Sequence, residues 1–198
     1  MSKQQSKVMI VALGGWSSKE LASGLGWPEG PAILDDGRVV FVETFQGRIS
    51  VWDTDHGYQL FCDTAGGPNA AALGSDGLVY ITQNGGIVGP WRSPRQQPPS
   101  IQRINADGSV SVVATKTSSR MLSAPNDLAF GPDGYLYFTD PGGEYDPGDQ
   151  PDVGYICVLK PDGDCEVLAE AGRSYPNGIV VEADGSVLWV ESYTRAVR

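Results

Sequence analysis

Residues 124–140 read APNDLAFGPDGYLYFTD. Apolar residues alternate on both sides of Asp133-Gly134, the pattern of two antiparallel strands joined by a tight turn. The same frame returns as WPEGPAILDDGRVVFVE from Trp27, GPNAAALGSDGLVYITQ from Gly67 and YPNGIVVEADGSVLWVE from Tyr175. In each copy a Pro precedes a Glu or Asn, and the Asp of an Asp-Gly turn follows seven residues later. The pairs are Glu29 and Asp36, Asn69 and Asp76, Asn126 and Asp133, Asn177 and Asp184. One interval repeated along a chain carries more weight than any single motif.

Working outward, the interior of each copy follows period two. Pro31, Ala71, Leu128 and Ile179 take one inward position, and Ile33, Leu73, Phe130 and Val181 the next. Beyond the turns the set continues as Val39 and Phe41, Val79 and Ile81, Leu136 and Phe138, Val187 and Trp189. A second hairpin is expected after each of the first three, pairing 48–52 with 59–62, 101–104 with 110–114, and 155–159 with 166–169. Two hairpins make a four-stranded antiparallel sheet, and such sheets in series make an all-β fold, a β-propeller. The copies start 40, 57 and 51 residues apart (29 to 69, 69 to 126, 126 to 177). The excess over a short repeat lies in two insertions, 85–100 and 141–152, each between the second and third strands of its blade. Both loops therefore rise from the face that carries Glu29, Asn69, Asn126 and Asn177.

The expected division is an N-terminal strand at 1–25, blades at 26–66, 67–123 and 124–174, and a half blade at 175–198, all in one incomplete propeller domain. The run 8–13 is short for a signal-peptide core and is read as an edge strand. Composition agrees: 26 Gly and 14 Pro in 198 residues suit a chain rich in turns, and 40% apolar residues suffice for a core. No apolar run reaches the ~20 residues of a membrane-spanning helix, so no membrane is expected. A net charge of −10 speaks against nucleic acid as a partner. It fits either plain solubility or an acidic site for a cation. The cysteines, Cys62, Cys157 and Cys165, make no CxxC pair and are read as reduced, half-buried thiols of a cytoplasmic protein. Pairing about the turn between them is expected to set Cys165 near Lys160.

Equivalent positions of successive blades form a ring. With the first strand innermost, Glu29, Asn69, Asn126 and Asn177 open on the channel. Glu43, Gln83, Asp140 and Glu191, seven residues past each turn Asp, end the second strands on the same face. Oxygen ligands with a few negative charges suit a hard cation, Ca²⁺ or Mg²⁺. An Asn after Pro is also ordinary turn chemistry, and Asn69 alone fits that reading. The one His, His56, sits in a turn of the outer hairpin, so a Ser-His-Asp triad or a His/Cys zinc site has little support. Trp91, Arg92, Arg95 and Tyr145 in the insertions either line a substrate pocket or pack on the rim.

The segments LGWPEGP (25–31), PNDL (125–128) with YFTD (137–140), and YPNGI (175–179) resemble the SMP-30/gluconolactonase/LRE-like family. The resemblance implies a six-bladed propeller with a divalent metal, commonly Ca²⁺, in the channel, and hydrolysis of a lactone or related ester. Other divalent ions such as Mg²⁺, Mn²⁺ or Zn²⁺ also fit it. It further implies metal ligation by Glu29, Asn126 and Asn177, and substrate contacts from Asn126. Asn69 has no counterpart in the family; Asn69, Trp91, Arg92 and Tyr145 are substrate-contact candidates from their positions in the repeat and the insertions alone. The family's general base, an Asp on the next blade, would lie past Arg198, leaving Asp140 as a weak auxiliary candidate. On this reading 198 residues are three and a half blades of a chain of about 290. Two other readings stand beside it. One is a non-catalytic propeller that binds a partner on its loop face; the other is a related enzyme, an organophosphate hydrolase or a strictosidine-synthase-like one. The small-molecule substrate and the oligomeric state stay open.

Overall fold

A computed structural model describes residues 18–142 and 152–198. The edge strand expected within 1–13 and Tyr145 lie outside the described residues. Four antiparallel sheets follow one another along the chain. The first holds β1 (Pro28–Ile33), β2 (Val39–Glu43), β3 (Arg48–Asp53) and β4 (Gly57–Asp63). The second holds β5 (Pro68–Leu73) and β6 (Val79–Gln83). Its insertion forms a small hairpin of β7 (Ile87–Val88) and β8 (Trp91–Arg92), and β9 (Ser100–Ile104) and β10 (Val110–Ala114) complete the sheet. The third holds β11 (Leu128–Phe130), β12 (Leu136–Asp140), β13 (Gly154–Leu159) and β14 (Cys165–Gly172), and the fourth β15 (Pro176–Val181), β16 (Val187–Glu191) and β17 (Ala196–Val197). The sheets are blades of a β-propeller. Their first strands, β1, β5, β11 and β15, lie side by side along the inner edge.

The turns explain why the hairpins close where they do. Each Asp-Gly turn uses its Asp side chain to accept the backbone N–H two residues on, as Asp36 does from Arg38, Asp76 from Leu78, Asp133 from Tyr135 and Asp184 from Ser186. Asp107 and Asp162 do the same in the second hairpins. The following Gly takes the left-handed conformation, with φ of 77° at Gly134.

The apolar core lies between neighbouring blades. Val40, Val42 and Ile49 of the first blade meet Val79, Ile81 and Ile104 of the second. The other face of the second blade, through Ala70 and Ile101, meets Leu128, Leu136 and Phe138 of the third. The period-two set thus faces the preceding blade. In the first blade that side has no neighbouring blade among the described residues, so Ile33 of the expected interior is 72% exposed and the opposite set, Val40 and Val42, is buried.

Three details differ from the sequence reading. The fourth sheet has a third strand, because Trp189 exchanges backbone hydrogen bonds with Arg198 and Glu191 pairs with Ala196. Cys165 pairs with Leu159 instead of Lys160, since the turn bond from Lys160 N to Asp164 O closes the loop one residue earlier. The three thiols are fully buried and free instead of half-buried. Burial pushes them up, Cys62 to about 12 and Cys165 to about 11.

Candidate functional site

In three of the four blades a bulge at the head of the inner strand lies beside the ring residue. The β1–β2 register shifts between Glu29 and Ala32, the β5–β6 register between Pro68 and Ala70, and the β15–β16 register between Pro176 and Ile179. In the third blade regular pairing begins only at Leu128, after Asn126. A bulge breaks the alternation of faces and re-aims a side chain. Glu29 still pairs with Val42, whereas Asn69, Asn126 and Asn177 have no ladder partner, and all four line one cavity of about 540 Å³. Gly30 lets this happen in the first blade: its φ is 45°, and a Cβ there would lie 2.2 Å from Ala70 Cα.

Threonines fix the ring between blades. Thr82 Oγ1 accepts from Ala70 N in its own blade and donates to Asn126 O in the next. Thr139 Oγ1 accepts from Asp127 N and donates to Asn177 O at 2.8 Å. In the first blade Thr44, one turn of chain later, donates to Pro68 O at 2.8 Å. Each blade therefore holds the backbone of its neighbour's ring segment.

The cavity contains a second carboxylate, Asp127. Its Oδ2 accepts from Ile179 N at 2.9 Å and its Oδ1 from Leu128 N at 2.9 Å, which ties the third blade to the fourth beside Asn177. Burial raises the Asp127 carboxyl above its ordinary range against these bonds. Burial also raises Glu29, and the Asp127 charge adds to it, while the Trp27 indole N–H, 3.1 Å from Oε1, opposes the rise. The sequence reading quoted Asp127 without giving it a role. Its signal is its place directly after a ring residue.

The donors fit a hard cation. Asn177 Nδ2 donates to Ser192 Oγ at 3.2 Å, which leaves the amide oxygen as the end available to a ligand. Asn126 is 9% exposed, and its side chain makes no hydrogen bond among the described residues. Two carboxylates whose charged forms burial disfavours, with amide oxygens beside them, are a set whose charge a divalent cation would balance. Among the described residues no three His, Cys, Asp or Glu gather closely enough to hold a metal. Any cation here depends on the asparagines.

The remaining candidates sit elsewhere. Asp140 is fully buried, and its carboxylate takes Arg120 Nη1 at 2.6 Å and the Ser123 and Ala124 amides, away from the cavity lining. Glu43 and Gln83 do equivalent work, accepting from Gly26 N and Gly67 N. These positions strap down the loops that enter each blade and form no outer ring of the cavity. Trp91 stacks on Phe45 with centroids 4.6 Å apart, and Arg92 donates to Gly89 O and Trp91 O. Neither lines the cavity, whereas Val88 of the same hairpin does. Arg95 pairs with Asp63 at 3.0 Å on the surface. His56 lies in its turn against Asp53.

The family description "SMP-30/Gluconolactonase/LRE-like region" matches residues 27–198. The chain belongs to this family. A gluconolactonase of Zymomonas mobilis is 29% identical over 195 residues, covering 89% of this chain and 51% of that protein. Among solved structures, a gluconolactonase from Xanthomonas campestris superposes with a TM-score of 0.71 at 22% identity, covering 87% of this chain and 57% of the other. A streptogramin B lyase superposes with a TM-score of 0.64 at 19% identity over 90% of this chain and 55% of the other. The structural likenesses show the propeller fold. The chain spans about half the length of the curated relative it matches. Among the described residues no helix is long and apolar enough to cross a membrane.

Proposed function

We propose that this SMP-30/gluconolactonase-family chain carries the cation-binding half of a lactonase, a hydrolase that opens a lactone or related ester with the help of a divalent ion, Ca²⁺ first among them. The observation that supports this reading most is the convergence of Glu29, Asn69, Asn126 and Asn177, four equivalents of one repeat, on one cavity. Glu29, Asn126 and Asn177 would hold the ion. When bound, it supplies Lewis-acid polarisation of the ester carbonyl.

The chain's own residues do the rest. Asp127 clamps the Ile179 amide and so keeps Asn177 and Asn126 at a fixed spacing. Ser192 orients the Asn177 amide. Asn69 offers a donor and an acceptor to the hydroxyls of a substrate. Trp27, Val88 and Tyr175 line the cavity and offer apolar surface beside the reacting ester. A cavity of about 540 Å³ suits a small-molecule substrate. Hydrolysis of a sugar lactone by the intact protein, followed with and without Glu29→Gln, tests the reading. We expect Glu29→Gln to lose about a hundredfold or more in rate, as loss of one ligand charge implies. An unchanged rate would refute it.

A further inference from the structure

We propose that Trp27 is a positioning residue for Glu29: its indole N–H holds one carboxylate oxygen while an aromatic stack anchored on the insertion hairpin holds the ring. The proposal rests on the reading of Glu29 as a cation ligand. Trp27 Nε1 lies 3.1 Å from Glu29 Oε1. The Trp27 ring stacks on Phe45 at 5.0 Å, and Phe45 stacks on Trp91 of β8 at 4.6 Å. Trp91 thus reaches the ring residue through Phe45 and Trp27 without lining the cavity itself.

The repeat shows what this arrangement is for. Two residues before each ring position stand Trp27, Gly67, Ala124 and Tyr175. Trp27 and Tyr175 share a left-handed backbone, with φ of 65° and 54°, a conformation uncommon for a bulky residue. They share aromatic neighbours as well. Tyr175 meets Tyr193 in a tilted pair at 5.3 Å, and Phe45 and Tyr193 each stand two residues past the end of their second strand. The fold therefore asks for an aromatic residue in a left-handed conformation at both places. A ring nitrogen donor occurs only in the first, where the ring residue is a carboxylate. In the fourth blade the ring residue is Asn177, and Ser192 orients it. Backbone strain held where a residue faces a ligand cavity is a known accompaniment of function. A carboxylate has more acceptor positions than one donor uses, so the indole fixes Glu29 and leaves it able to bind a cation. Partners of this kind orient metal ligands, and losing one typically weakens metal binding by about ten- to a hundredfold.

The test is calorimetric titration of the intact, metal-stripped protein with Ca²⁺ in four forms: unchanged, Trp27→Phe, Glu29→Gln and the double variant. Trp27→Phe keeps an aromatic ring for the Phe45 stack, though a smaller one, and removes the N–H. It is expected to weaken Ca²⁺ binding about tenfold, and Glu29→Gln to weaken it further. In the Glu29→Gln background the Trp27→Phe change is expected to add nothing. Unaltered Ca²⁺ affinity in Trp27→Phe, with loss in Glu29→Gln, would overturn the positioning role and leave the ligand reading intact. Equal losses in both backgrounds would also overturn it, showing that Trp27 acts by packing the rim. Unaltered affinity in Glu29→Gln would overturn the ligand reading itself, and this proposal with it. Trp27→Leu, measured alongside, carries the same expectation should the Phe variant fail to fold.

Discussion

Two glutamates of the first blade show how far environment decides a carboxylate's use. Burial works against the charge of Glu43, but Arg48, Ser50, the Gly26 amide and Tyr58 all donate to it and together hold it at about 2. Glu29 has the Trp27 indole and the Gly30 amide as donors, a second carboxylate nearby and a raised pKa. The first group is already satisfied, and the second is the one the proposed function gives to a cation. Because the folded pKa of Glu43 lies below its ordinary 4.5, its contribution to stability is complete above pH 4.5 and fades as pH falls towards 2. Glu43→Gln should destabilise the fold by about 2 kcal/mol at pH 7 and flatten the fall in stability across that acid window, as urea unfolding at a series of pH values would show. Sequence spacing was enough to single out Glu29, since it is the one acid in an otherwise amide ring. Asp140 misled for a related reason. Its position in the repeat placed it on the right face, but only packing reveals that Arg120 and two backbone amides consume its oxygens.

At the scale of elements, hairpins and their turns were legible because each needs only local chemistry: alternation, an Asp that bonds its own backbone and a Gly that turns left. Gly134 has open space where a Cβ would go, so Gly134→Ala tests conformation alone. It should cost about 1–2 kcal/mol, read as a lowered midpoint in thermal unfolding. The bulges that aim the ring residues and the threonines that bridge blades were not legible. They depend on which strand lies beside which, and Thr139 reads locally as an ordinary strand residue. Thr139→Val keeps the shape but leaves Asp127 N and Asn177 O without this hydroxyl. A loss of about 2–3 kcal/mol is expected, together with weaker Ca²⁺ binding through Asn177. A stability loss with unaltered Ca²⁺ affinity would show that the bridge holds the fold alone.

Across the whole molecule, burial is uneven. The first blade exposes Ile33, Tyr58 and Leu60, and the fourth exposes Val180, Val190 and Val197, while the second and third blades expose Val112 and Leu168 on their strands. Apolar surface therefore collects on the two end blades of the arc. Large exposed apolar areas drive association. The 198-residue polypeptide expressed alone should self-associate with rising concentration, and sedimentation would detect it; a monomer at all concentrations would contradict this assignment of the end faces. The propeller also underlies a lyase with a TM-score of 0.64 to this chain, so the fold does not choose the reaction. On the proposed reading the ring of Glu29, Asn69, Asn126 and Asn177 does, by holding a cation. The most direct test is the rate of sugar-lactone hydrolysis by the intact protein before and after treatment with a chelator, then after adding Ca²⁺. A fall of about a hundredfold or more, reversed by Ca²⁺, is the predicted result; hydrolysis that continues undiminished in chelator would contradict the account.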